Sequence, residues 1–153
     1  MDTLSNSQII AASTIILIIG FLGYLGIKTL MISNWFKKAV YLYQNKDYEA
    51  AETEFRKIIK IAQSNDVVRL MLGDLLNRQG RLIEAREMFT EVINRSPKNP
   101  DAYLRLANIL MLENQKQAAI TNLEKSLELF EKQRQPQQAQ KVRQILQEIT
   151  NKG

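Results

Sequence analysis

Cysteine and histidine are absent, tryptophan occurs once and proline three times in 153 residues. A chain without thiols or imidazoles has no cysteine nucleophile, no zinc site of the usual kind and no His-based acid–base chemistry. It has no disulfides either, which fits a reducing compartment. Carboxylates, Lys, Ser and Tyr would be left to carry any catalysis. The sequence also lacks a Gly-rich phosphate loop and a cluster of metal ligands. No catalytic, cofactor-binding or metal site is expected, nor a small-molecule substrate, and the chain reads as a non-enzyme. The acidic residues Asp47, Glu49, Glu52 and Glu54 stand close together, but they flank a turn and one helix side, and the expectation is a solvated face.

Charge is missing from one whole region. Residues 3–27 carry none. All 21 basic residues, and all but one (Asp2) of the 16 acidic ones, follow. The net charge of +5 is spread in alternating signs, with no basic run interleaved with aromatics, so no nucleic-acid partner is expected. Ile9–Ile27 reads IIAASTIILIIGFLGYLGI, nineteen uncharged residues with eleven Ile, Leu or Phe. That length crosses a hydrocarbon core about 30 Å thick. Those eleven residues favour insertion by about 3–6 kcal/mol. A cleaved signal peptide would want a positive start, and MDTLSNSQ has none. A core helix is seldom apolar all round for five turns. The expectation is a transmembrane helix and juxtamembrane segment over 9–32, preceded by a short tail over 1–8. Lys28, Lys37 and Lys38 follow the run and nothing basic precedes it, so the positive-inside rule puts the tail on the lumenal or extracytoplasmic side and the rest on the cytoplasmic or stromal side. Gly20, Gly23 and Gly26, with Ala12 and Ser13, are small enough for a second helix to approach closely in lipid.

Beyond residue 32 the chain matches itself at a shift of 34. Ala51, Ala85 and Ala119 fall in register, as do Phe55, Phe89 and Leu123. Ala39, Gly73 and Ala107 line up, and so do Leu42, Leu76 and Leu110, with Trp35, Arg69 and Tyr103 at one further place. A fixed period of this length marks stacked repeats. In copy two, Val67–Gln79 and Leu82–Asn94 each carry an amphipathic stripe, divided at Gly80. Ser96-Pro97 closes the second helix and Asn99-Pro100-Asp101 opens the next, with Asn99 as N-cap. Copies one and three turn at Asn45-Lys46-Asp47 and Glu113-Asn114-Gln115. Small residues at 39/73/107 and 51/85/119 let paired helices approach, and Phe55 and Phe89 fill the space between pairs. Three such units can share one core.

The spacing resembles the tetratricopeptide repeat. Copy two, 66–99, matches at Leu72-Gly73, Gly80, Ala85, Phe89 and Pro97. Copy one, 32–65, matches at Trp35, Ala39, Tyr48, Ala51 and Phe55, with Lys38 where Leu is usual and Gln63 where Pro is usual. Copy three, 100–133, matches at Tyr103, Leu106-Ala107 and Ala119, with Leu123 for the aromatic, Ser126 for Ala and Glu131 for Pro. The fold class expected is all-α: an N-terminal transmembrane helix, a solenoid of three helix pairs over 33–134, and a capping helix in 135–153. In Pro136–Lys152, Ala139, Val142, Ile145, Leu146 and Ile149 share one stripe and the other face is solvated.

The resemblance implies a concave face lined by the first helix of each repeat. By repeat register its outward positions are Phe36, Val40 and Tyr43; Leu70, Asp74, Asn77 and Arg78; and Leu104, Arg105, Asn108, Met111 and Leu112. Apolar ends around a polar middle suit an amphipathic or extended peptide. One subclass of the family binds the C-terminal carboxylate of chaperones through Lys, Asn and Arg. Here the corresponding places hold Phe36, Val40, Met71, Asp101 and Arg105, so only Arg105 agrees. In overall layout the chain looks like the small thylakoid tetratricopeptide proteins of cyanobacteria and red-algal plastids that assist photosystem I assembly, and its Ile, Asn and Lys richness resembles products of AT-rich plastid genomes. That likeness implies a scaffold holding photosystem I subunits at the membrane. A membrane receptor for protein import and a bacterial envelope assembly factor share the same shape.

Overall fold

The computed structural model describes residues 6–151. Most of the tail expected over 1–8, and Lys152 at the expected end of the capping helix, lie outside the described residues. Among those residues there are seven helices and no strand: α1 Asn6–Gln44, α2 Tyr48–Ile61, α3 Asp66–Arg78, α4 Leu82–Arg95, α5 Pro100–Leu112, α6 Lys116–Lys132 and α7 Pro136–Asn151. Each packs on the next in chain order, and α3 also touches α5.

No break separates the apolar stretch from the first repeat helix. The segment expected over 9–32 runs on into the first repeat helix, and α1 is a single helix of 39 residues, about 58 Å long. The physical reason is local: no proline or glycine stands between Ile27 and Gln44 to stop it. Ser13, Thr14 and Thr29 donate their hydroxyls to the carbonyls of Ile10, Ala11 and Leu25, so these three hydroxyls are satisfied within the helix. From Ile10 to Ile27 every residue is exposed. A core helix of this chain is therefore excluded. This is a helix long and apolar enough to cross a membrane.

The turns repeat as the helices do. Lys46, Gly80 and Asn114 sit 34 apart and share left-handed backbone, at φ 63°, 76° and 60°. In each, the next residue's N–H closes the preceding helix on a carbonyl five residues back, as from Asp47 to Leu42 and from Arg81 to Leu76. This is the Schellman closure. Asp47, Asn65 and Asn99 accept from backbone N–H groups at the starts of α2, α3 and α5, satisfying donors that a helix leaves open.

Ala39, Ala51, Phe55, Gly73, Ala85, Phe89, Ala107, Ala119 and Leu123 are all buried. Gly73 is set by its neighbour. A Cβ there would lie 2.3 Å from the Phe89 ring, a clash that helix propensity cannot offset. The core is not one body. A larger cluster spans the first two pairs and reaches Ala102 and Ile109 on α5, and a smaller one joins α5, α6 and α7 through Ala107, Leu123, Phe130 and Val142. Leu106 packs against both.

Departures from the repeat pattern have partners. Lys38, in place of Leu, reaches Glu54 at 2.7 Å. Glu54 corrects the expectation of a solvated acidic face: its side chain is 5% exposed, and Lys57 supports it at 3.1 Å. The helix side carrying it is turned onto α1 and not toward water. Arg69, in the place of Trp35 and Tyr103, is buried; it donates to Glu91 at 2.8 Å and to the Gln63 carbonyl. Ser126, in the place of Ala, is buried and donates to the Pro100 carbonyl at 2.9 Å.

Candidate peptide-binding groove

The first helices of the three pairs are the C-terminal half of α1, then α3 and α5. Side chains 31 to 35 residues apart join them into one surface. Arg105 on α5 donates to Asp74 on α3 at 2.9 Å and to Asp101, one turn before it, at 3.2 Å. Arg78 at the end of α3 donates to the Tyr43 hydroxyl on α1 at 2.5 Å and lies 5.4 Å above its ring. The Tyr43 ring in turn meets Tyr48 at 5.8 Å. A cation over an aromatic face adds attraction beyond the hydrogen bond.

Burial raises the Asp74 carboxyl above its ordinary value, although Arg105 pulls the other way. Burial likewise works against the charge on Arg105, but Asp74 and Asp101 more than offset it and hold the guanidinium more firmly protonated. The pair is half-buried on both sides. It neutralises the middle of the surface and ties α3 to α5, so Arg105 is already engaged and is not a free cation awaiting a carboxylate.

Of the positions assigned to the groove, Phe36, Val40, Tyr43, Asp74, Asn77, Leu104, Arg105 and Met111 are half-buried, and Arg78, Asn108 and Leu112 are exposed. Leu70 is a correction. It is 7% exposed and belongs to the larger core cluster. The middle pair is packed from both sides, with α3 against α2, α4 and α5, so its first helix buries more than one stripe. Phe36 and Tyr43 also pack against that cluster, and Leu104 and Met111 against the smaller one. What stays available is a strip of apolar edges with two side-chain amides, Asn77 and Asn108. Among the described residues neither amide makes a side-chain hydrogen bond. Each could give one donor and accept one bond, the pattern a peptide backbone presents. Tyr41, 65% exposed on α1, lies outside the positions that repeat register selects.

Among the described residues no group of acidic side chains is placed to hold a metal. Pairing consumes most of the carboxylates: Arg81 bridges Glu52 and Glu84, and Arg86 meets Glu113.

Two models of the tetratricopeptide repeat match the chain, over residues 32–65 and 76–145. The all-helical, three-pair architecture is thus that of tetratricopeptide repeats. No curated protein matches by sequence. Among solved structures the chain is similar to the type III secretion translocator chaperone SycD of Yersinia enterocolitica, with 20% identity and a TM-score of 0.72 over 79% of this chain and 84% of that one. It is also similar to the TPR2B domain of yeast Sti1 in its pHsp70 complex, with 14% identity and a TM-score of 0.74 over 81% and 99%. PcrH of Pseudomonas aeruginosa, in complex with the chaperone binding region of PopD, aligns with 14% identity and a TM-score of 0.72 over 78% and 91%. At these identities the likeness is one of fold.

Proposed function

We propose, from a chain built of tetratricopeptide repeats, that the protein is a membrane-tethered scaffold whose inner surface holds an extended segment of a partner protein. The observation that carries this is the strip left by the Asp74–Arg105 and Tyr43–Arg78 bridges. Two unpartnered amides, Asn77 and Asn108, sit there between half-buried apolar groups. The neighbours solved with partner segments support the mode of binding. Exposure of the whole run from Ile10 to Ile27 supports the tether. Holding a binder at the membrane raises its effective concentration around membrane-inserted partners, so modest groove affinity is enough. The setting we put forward is photosystem I assembly at the thylakoid, with the repeats on the stromal side, on the strength of the overall layout.

An import receptor for basic presequences is less well supported. Such a groove wants acidic side chains, and here Asp74 and Asp101 are taken up by Arg105. The test is co-purification from detergent-solubilised thylakoid membranes. The native chain should recover photosystem I subunits, and Asn77→Ala/Asn108→Ala should lower recovery about tenfold with an unchanged helical melting curve, two lost hydrogen bonds being worth roughly 1–3 kcal/mol. Recovery of translocase components instead would favour the receptor reading. Undiminished recovery by the double variant would remove the groove from the account.

A further inference from the structure

Where α1 leaves its apolar half, α2 returns alongside it. Tyr24, Ile27, Lys28 and Met31 on α1 and Ile61 at the end of α2 line one cleft of about 380 Å³. It lies outside the groove. Lys28 is the first charged residue after the apolar run, and it is half-buried. Among the described residues its ammonium meets no carboxylate. A cation held partly out of water without a partner is unusual, since burial penalises the charged form unless something pairs with it. Every other lining group is apolar or, in Tyr24, amphipathic.

Depth decides what could fill the place. With Ile9–Ile27 in the hydrocarbon, Tyr24 sits at the edge of the lipid core, where amphipathic rings settle. Met31 is seven residues further on, about 10 Å along the axis, so the cleft brackets the headgroup layer. The return of α2 brings Ile61 to the same level, with Lys60 beside it in sequence, exposed and without an ion-pair partner among the described residues. A ligand at this depth must join an anionic group for Lys28 to an apolar body for Ile27, Met31 and Ile61. A lipid with a net negative headgroup has both, and the cleft opens onto the same exposed apolar surface that acyl chains would cover. A free anion satisfies only Lys28.

We infer that this cleft binds one anionic phospholipid, its headgroup phosphate on Lys28 Nζ and its glycerol end against Ile27, Met31 and Ile61. The site rests on the reading of α1 as a membrane span. It seats the first repeat directly on the bilayer surface, without a flexible stalk, so the lipid acts as a wedge between α1 and α2 that fixes how the groove is presented.

The test is native mass spectrometry of the full chain in detergent with equimolar phosphatidylglycerol and phosphatidylcholine. The native chain should retain one phosphatidylglycerol with about fivefold preference, the scale of one basic side chain at an anionic surface. Lys28→Gln should abolish the preference, and Lys98→Gln, on a distant loop, should keep it. Because Lys28→Gln removes only a charge, circular dichroism should be unchanged; Ile61→Asp should lower retention independently. Equal retention of the two lipids, or a preference that survives Lys28→Gln, overturns the site. So does displacement of the lipid by inorganic phosphate at the same concentration. Release of the chain from membranes by alkaline carbonate would sink the span and this site together, whereas firm membrane retention without lipid preference sinks the site alone.

Discussion

From Ile10 to Ile27 every residue of α1 is exposed, while from Ile32 onward the same helix buries Ala39 and packs Trp35, Phe36, Leu42 and Tyr43 against α2 and its neighbours. The backbone does not change between the two halves. What changes is the periodicity of the side chains. The first half is apolar on every side and, short of its Tyr24–Ile27 end beside Ile61, has no protein to pack against; the second alternates apolar stripes with Lys28, Lys37 and Lys38. On the proposed reading, one half is built to be covered by lipid and the other by three stacked helix pairs, and the comparison predicts that damage to either should leave the other intact.

The largest separation should come from Phe89→Ala. Phe89 is 1% exposed between α3 and α4, and truncating a buried Phe costs about 3–5 kcal/mol. The repeat region should melt far earlier by circular dichroism, with membrane attachment unchanged. The converse variant is Ile18→Arg. Placing a charge at the middle of the run should cost insertion roughly 3–4 kcal/mol. The chain should shift toward the soluble fraction while the repeats keep their melting temperature. If Ile18→Arg unfolded the repeats, the two halves would not be independent.

Acid sharpens the contrast with a smaller effect. Lys38 holds the Glu54 carboxyl below the ordinary value of 4.5, with burial opposing it and Lys57 assisting. A carboxyl depressed in the folded state contributes stability that is present above 4.5 and is lost as the pH falls through its folded value. The repeats should therefore weaken below pH 4.5. Glu54→Gln should cost about 1 kcal/mol at neutral pH and flatten that acid loss, as read by chemical denaturation. No carboxylate or basic group lies between Ile10 and Ile27, so attachment should not respond.

The repeats were legible because close helix approach limits residue size at fixed places. Ala39, Gly73 and Ala107 recur for that reason, and Gly73 faces the Phe89 ring too tightly for any Cβ. The turn at Lys46 was legible only by register with Gly80 and Asn114, since lysine, unlike glycine or asparagine, does not announce left-handed backbone. Pairings between distant residues were not readable. Nothing local says that Lys38 will meet Glu54 or that Arg105 will meet Asp74, so Glu54 read as solvated. Leu70 read as outward because register gives a face, while burial depends on how many neighbours a pair has. Leu129 and Phe130, both buried on α6, stand where the earlier copies carry Arg95 and Ser96 or Ile61 and Ala62, so register does not select them. The continuity of α1 was missed because a helix that fails to stop leaves no motif.

The central claim is that one unbroken helix passes from lipid into the repeat core. With no cysteine in the sequence, single cysteines report their own surroundings. Leu17→Cys, Leu22→Cys and Tyr41→Cys, in intact membranes, can be challenged with a membrane-impermeant maleimide. The account predicts that position 41 labels at once and that positions 17 and 22 label only after detergent. Equal labelling at all three positions before detergent is added would contradict it.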